Sequence, residues 1–307
     1  MAPVDRPGLK GVLCAAIAAS VLLGAAPAAH AATAIAVTPG VKGDSAPAGS
    51  TVTIFVAVDP PVAGTPVQVK LAVDDKQLFD RQLLLSSSGK FNFPVEVTGC
   101  CQYRVTVSSG GLSKSASFDV TVPKRLHRGS RGPAVSLLHS ALRDQGYFVR
   151  GKKRFTSSTE LALLAFRKVN KMHRNTSYSR RIFRTLLQGK GAFPLAHPGD
   201  GKHAEADLSR QVLVLAENGA PKYTFPISSG ASATPTVTGR FNFYLKTPGY
   251  NAKRMYYSAY FIRGYATHGY SPVPNYPASH GCLRNPIPDA RFIYNWVDIG
   301  DPIWVYH

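Results

Sequence analysis

From about Thr33 to Pro123, apolar and polar residues alternate with a period of two, the spacing of strands that bury one face. The runs fall at residues 51–58, 67–73, 77–85, 91–97, 103–107 and 115–122, separated by Gly, Pro, Ser or Asp. From Lys124 to about Gly191 the period lengthens to that of helices. Gly129-Ser130-Arg131-Gly132-Pro133 is a turn opening into residues 134–145, where Val135, Leu138 and Leu142 share a face. Residues 158–169 and 179–187 repeat the helical pattern. From Ala204 alternation returns: residues 211–216 and 222–227 flank Asn218-Gly219, a strong hairpin-turn signal. Residues 263–268 read as another strand. Asn285-Pro286 and Pro288-Asp289 start a short helix reaching Val297, and residues 302–306 close the chain as a strand.

These patterns predict a multidomain, mainly β protein. The first block, residues 32–123, has the strand lengths and spacing of an immunoglobulin-like β-sandwich, and no cluster of catalytic side chains stands out in it. It reads as a spacer or binding module. Residues 124–191 form a small three-helix domain, 192–203 a Pro- and Gly-containing linker, and 204–307 a second β domain with a short helix. A length of 307 residues accommodates two or three such domains.

Residues 1–31 read as a secretory signal. Arg6 and Lys10 give a positive start, residues 11–26 are apolar, and Ala29-His30-Ala31 fits a small-x-small cleavage site. The apolar run is short of the ~20 residues a membrane span needs, so the membrane enters only through this segment if it stays uncleaved. Cleavage leaves three cysteines, Cys100, Cys101 and Cys282. An odd count leaves at least one thiol free or intermolecular. Adjacent Cα atoms lie ~3.8 Å apart across a trans peptide, closer than disulfides usually allow. The leftover thiol is therefore most simply Cys282, with Cys100 and Cys101 left unassigned.

The net charge of +19 is concentrated: between Lys124 and Lys190 there are 17 Lys/Arg against Asp144 and Glu160. A basic block can serve nucleic acid, but an exported protein rarely meets it. Anionic cell-wall polymers are the expected counter-charge, and a secreted, cell-wall-associated protein is the expected setting.

The candidate chemistry lies in Ser279-His280-Gly281-Cys282-Leu283-Arg284, with His268-Gly269 upstream. A thiol attacks as thiolate and needs a base or a positive environment; imidazole is the usual base, and nearby main-chain N–H groups can hold an oxyanion. Gly281 would let the backbone approach a substrate carbonyl. His268, His280 and Cys282 could also gather zinc, but their spacing does not favour it. The string resembles the signature of the L,D-transpeptidase (YkuD) family: His, a variable stretch, then Ser/Thr-His-Gly-Cys, an apolar residue, and Arg or Asn. The variable stretch, residues 269–278, is shorter here than in many members and carries Pro272, Pro274 and Pro277. Asp207-Leu208-Ser209-Arg210-Gln211 and Thr236-Val237-Thr238-Gly239-Arg240-Phe241 are also similar to stretches of that family, the second with Val237 in place of a proline.

The resemblance implies Cys282 as nucleophile and His268 as base, with its ring held by the Gly269 carbonyl. His280 is the alternative base. Ser279, His280, Gly281 and the Cys282 amide would orient the loop and line the oxyanion side, and Arg284 would meet a substrate carboxylate. It implies peptidoglycan stem peptides as substrate, 3→3 crosslinking through a thioester, no metal or cofactor, and carbapenem-type β-lactams as acylating inhibitors. Hydrolysis of the same stems, or wall binding without catalysis, are the competing functions. The helical block resembles the small peptidoglycan-binding domain through Leu126, Gly129, Gly132, Val135, Leu138, Leu142, Gly146-Tyr147-Phe148, Thr159 and Ala165-Phe166. It departs at Arg150-Gly151-Lys152, where that family has an Asp-Gly turn.

Overall fold

The computed structural model describes residues 32–307; the proposed signal, 1–31, lies outside the described residues. The chain divides between Lys124 and Arg125 into two compact units. Among the described residues no helix is long and apolar enough to cross a membrane.

The first unit is all β. Strands β1 (Ala34–Pro39), β3 (Thr51–Asp59) and β6 (Lys90–Glu96) form a three-stranded sheet. Strands β2 (Ser45–Pro47), β4 (Pro66–Val73), β5 (Lys76–Leu84), β7 (Gln102–Ser109) and β8 (Leu112–Thr121) form a five-stranded one, in the order β2-β8-β7-β4-β5. The period-two pattern does what it predicts: Val52, Ile54, Val56 and Val58 of β3 and Val67, Val69 and Leu71 of β4 are buried. Tyr103 is fully buried; its hydroxyl accepts from the Thr98 and Gly99 amides and donates to the Glu96 carbonyl, so the polar tip is satisfied. Cys100 and Cys101 are bonded to each other. The trans spacing assumed from the sequence does not apply, because their peptide is cis and the Cα atoms are 3.0 Å apart.

The second unit joins the helices to two facing sheets. Helices α1 (Pro133–Asp144), α2 (Ser157–Val169) and α3 (Arg180–Leu187) fall within a residue or two of the predicted spans. One sheet has the order β11-β10-β9-β17-β12, built from β9 (His203–Asp207), β10 (Val212–Glu217), β11 (Ala220–Pro226), β12 (Gly239–Asn242) and β17 (Pro302–Tyr306). The other, β13-β14-β15-β16, comprises β13 (Leu245–Tyr250), β14 (Tyr256–Ile262), β15 (Tyr265–Tyr270) and β16 (Leu283–Pro286). Helix α4 (Ile287–Trp296) follows directly. Leu213, Leu215, Phe225, Phe261, Leu283 and Ile303 belong to the core cluster of this β-sandwich. Asn218 and Gly219 both have positive φ, 53° and 70°, as a tight β10–β11 hairpin requires.

The helices are built into this unit rather than tethered to it. Phe148, just past α1, packs its ring against Phe225 at 4.8 Å and Phe292 at 4.4 Å. Arg150 pairs with the buried Asp289 of α4, which gives a structural use to the position where an Asp-Gly turn is missing. Residues 192–203 are held as well: the buried Glu205 carboxylate accepts from the Ala196 and His197 amides at 3.0 and 2.8 Å, and the His197 ring stacks on Trp304.

Candidate active site

Strands β15 and β16 lie parallel with His268 opposite Arg284 and Thr267 opposite Leu283. Cys282, one residue ahead of β16, therefore sits level with Ala266. Side chains repeat every second residue on one face. Cys282 and Arg284 thus share the face of His268 and Tyr270, while Leu283 points into the core. Along the strand, Cys282 and His268 are offset by two residues, about 6.6 Å at the main chain.

His268 is 3 % exposed. Its Nδ1 lies 3.0 Å from the Gly269 carbonyl, so this nitrogen carries the proton and Nε2 is left as the basic one. Burial pulls its pKa down to about 4, opposed by the Gly269 hydrogen bond and helped by Arg284. Above that pH the ring is neutral and can accept a proton. His280, by contrast, is exposed.

The Cys282 thiol is half-buried, and burial raises its pKa; an Ala266 main-chain hydrogen bond and the charges of Lys253 and Arg284 act in the other direction. The thiol donates to the Gly264 carbonyl at 3.7 Å, and among the described residues no hydrogen bond joins it to His268. Near neutral pH the site therefore holds a neutral thiol and a neutral imidazole. Such contacts commonly tighten only with substrate in place. A positive environment lowers a thiol's pKa, but here the enclosing strands outweigh it.

The loop holding Cys282 is braced from within and from outside. Ser279 Oγ donates to the Cys282 carbonyl at 2.5 Å and accepts from the Gly281 amide at 3.1 Å. The Gly281 amide is thus engaged, which leaves the His280 and Cys282 amides as the candidates for an oxyanion. Gly281 has φ +109°, and a Cβ there would lie 2.2 Å from the Tyr265 ring, so both backbone and packing require glycine. Arg284 lays its guanidinium over the Tyr270 ring at 4.3 Å and meets no carboxylate among the described residues, so its charge remains available.

Outside the motif, the segment after β11 holds both sides of it. Ser228 exchanges main-chain hydrogen bonds with Arg284, and the Ser229 carbonyl accepts from the Ala278 and Ser279 amides at 2.8 and 2.9 Å. Thr236 Oγ1 accepts from the Gly230 amide. These serines carry no motif of their own, and only the fold brings them to the site.

The two-layer sandwich thus sets a cysteine and a histidine on one face of two adjoining strands. Residues 201–305 match the L,D-transpeptidase catalytic domain family (YkuD), and this segment is a domain of that family. An L,D-transpeptidase crystal structure (residues 123–326) from Xylanimonas cellulosilytica DSM 15894 is similar at 29 % identity and a TM-score of 0.54, covering 61 % of this chain and 99 % of that one. An L,D-transpeptidase structure from Stackebrandtia nassauensis is 21 % identical with a TM-score of 0.37, over 61 % of this chain and 98 % of that one. A search of curated proteins finds no match.

Proposed function

We propose that the protein is a secreted, cell-wall-associated L,D-transpeptidase that forms 3→3 crosslinks through a thioester on Cys282. The observation that carries this reading is the His268 ring, fixed by Gly269 on the face it shares with Cys282, within a YkuD domain. In the proposed reaction, His268 Nε2 takes the thiol proton as Sγ bonds to the carbonyl carbon of the stem's third residue. The tetrahedral oxyanion faces the His280 and Cys282 amides. Its collapse breaks the amide bond, and D-alanine leaves as an amine carrying the proton returned by His268. The side-chain amine of a second stem then attacks the thioester and gives its proton to His268; the new amide forms as the C–S bond breaks, and His268 passes the proton to the departing Cys282 sulfur. In this reading Arg284, which meets no carboxylate among the described residues, pairs with a stem carboxylate.

Incubating the mature protein with a tetrapeptide stem and reading products by mass tests this. A dimer lighter than two stems by one alanine is expected. Tripeptide alone, formed by water, would instead make the protein a carboxypeptidase.

The helical block remains the proposed contact with anionic wall polymer. Several of its charges serve the fold, including Lys168 and Arg150, but Arg180, Arg181 and Arg184 of α3 are exposed around one shallow hollow. Binding of the mature protein to isolated sacculi is expected to weaken severalfold between low and physiological salt, because exposed charges are screened over ~8–10 Å. Salt-independent retention would contradict an electrostatic contact.

A further inference from the structure

Lys168, near the C-terminal end of α2, lies outside the matched family segment and is 2 % exposed. It makes no ion pair among the described residues. Its ammonium donates instead to the Gln211 carbonyl at 3.1 Å and the Ile227 carbonyl at 2.8 Å, between the strands that open the catalytic domain. A buried cation without a carboxylate is costly, and burial together with Arg174 draws its pKa down to about 7. The two carbonyls lead straight to the motif. Gln211 Nε2 donates to Ser229 Oγ at 2.6 Å and Gln211 Oε1 accepts from the Ser229 amide at 3.0 Å. Ser229 then holds Ala278 and Ser279, and Ser279 holds Cys282. A second grip comes from Arg174, which donates to the carbonyls of Asn275 at 2.7 Å and Ser209 at 2.9 Å; the Asn275 side chain donates back to the Arg174 carbonyl. Asn275 lies in the proline-bearing loop between His268 and Cys282.

We infer that Lys168 and Arg174 are positioning residues for the thiol: the helical block locks the Ser228–Ser229 segment and the 271–278 loop, and so sets where Cys282 stands relative to His268. This rests on Cys282 being the acylated group. An ångström of misplacement can cost on the order of 10²-fold in rate, so a loosened lock acts on turnover even where the fold survives.

The test uses the full mature chain with Lys168→Met, Arg174→Gln and Cys282→Ser, measuring melting temperature and the acylation rate per folded molecule across stem concentrations. Methionine nearly matches the length and removes the buried charge, which offsets the loss of two hydrogen bonds, so Lys168→Met is expected to melt near the wild-type temperature. Its maximal acylation rate is expected to fall about 10-fold or more, with KM within about twofold. Arg174→Gln is expected to lose about threefold or more, and decides the matter if Lys168→Met does not fold. A merely structural role would lower the melting temperature and leave the rate per folded molecule within twofold of wild type, which would overturn the inference. Acylation persisting in Cys282→Ser would instead overturn the reading of the site on which it rests.

Discussion

The Cys282→Ser protein is expected to fold normally and to form no acyl-enzyme, with turnover lost to the detection limit. The serine hydroxyl is nearly the same size as the thiol, and the position is only half-buried, so packing changes little. The chemistry changes far more. A hydroxyl has a much higher pKa than a thiol and is the weaker nucleophile. Among the described residues no carboxylate bonds to His268: its ring is oriented by a main-chain carbonyl, and its pKa of about 4 makes it a mild base. Unchanged melting together with absent acylation is the pattern that checks this, read by calorimetry and intact mass.

His268→Ala is expected to fail differently. The thiol remains, so acylation continues, slower by about 10²–10⁴ when general-base help is lost. The residual rate should climb with pH, because only the ionised thiol now attacks. Burial raises the Cys282 pKa, so that climb continues past the range in which an ordinary thiol ionises. The wild type should show a limb of the same sense at far lower pH, losing rate only as pH falls toward about 4, where His268 gains a proton and can no longer accept one. Acylation rates across pH for both proteins measure this. If His280→Ala were inactive and His268→Ala unimpaired, the two histidines would exchange roles; the exposure of His280 argues against that.

Much of this was legible in the chain. The six residues from Ser279 to Arg284 spell out the candidate site in their order, and the period-two runs of the first unit mark β3 to β8 to within a few residues, while β1 and β2 fall outside those runs. What was hidden depends on distant partners. Strand β9 reads His-Ala-Glu-Ala-Asp, which looks solvated, yet all five residues are buried because Tyr306, Arg210 and the 196–197 amides satisfy the carboxylates. Strand β13 contains Pro248-Gly249, a turn signal, and the ladder shifts register there while continuing. Gly146-Tyr147-Phe148 looked like the end of a helix in a separate domain. Its use is docking, since a Cβ on Gly146 would lie 2.5 Å from the Pro221 carbonyl oxygen and Phe148 fills the sandwich edge. The raised thiol pKa was out of reach as well: it comes from enclosure by strands that local spacing cannot reveal.

The proposed reaction passes through a thioester on one sulfur, that of Cys282. Wild-type protein quenched in acid during turnover with a tetrapeptide stem, then digested and mapped by mass, tests it most directly. A tripeptide-stem adduct is expected on the peptide containing Cys282, removed by neutral hydroxylamine as a thioester should be. An adduct on any other residue, or steady turnover with Cys282 never acylated, would contradict it.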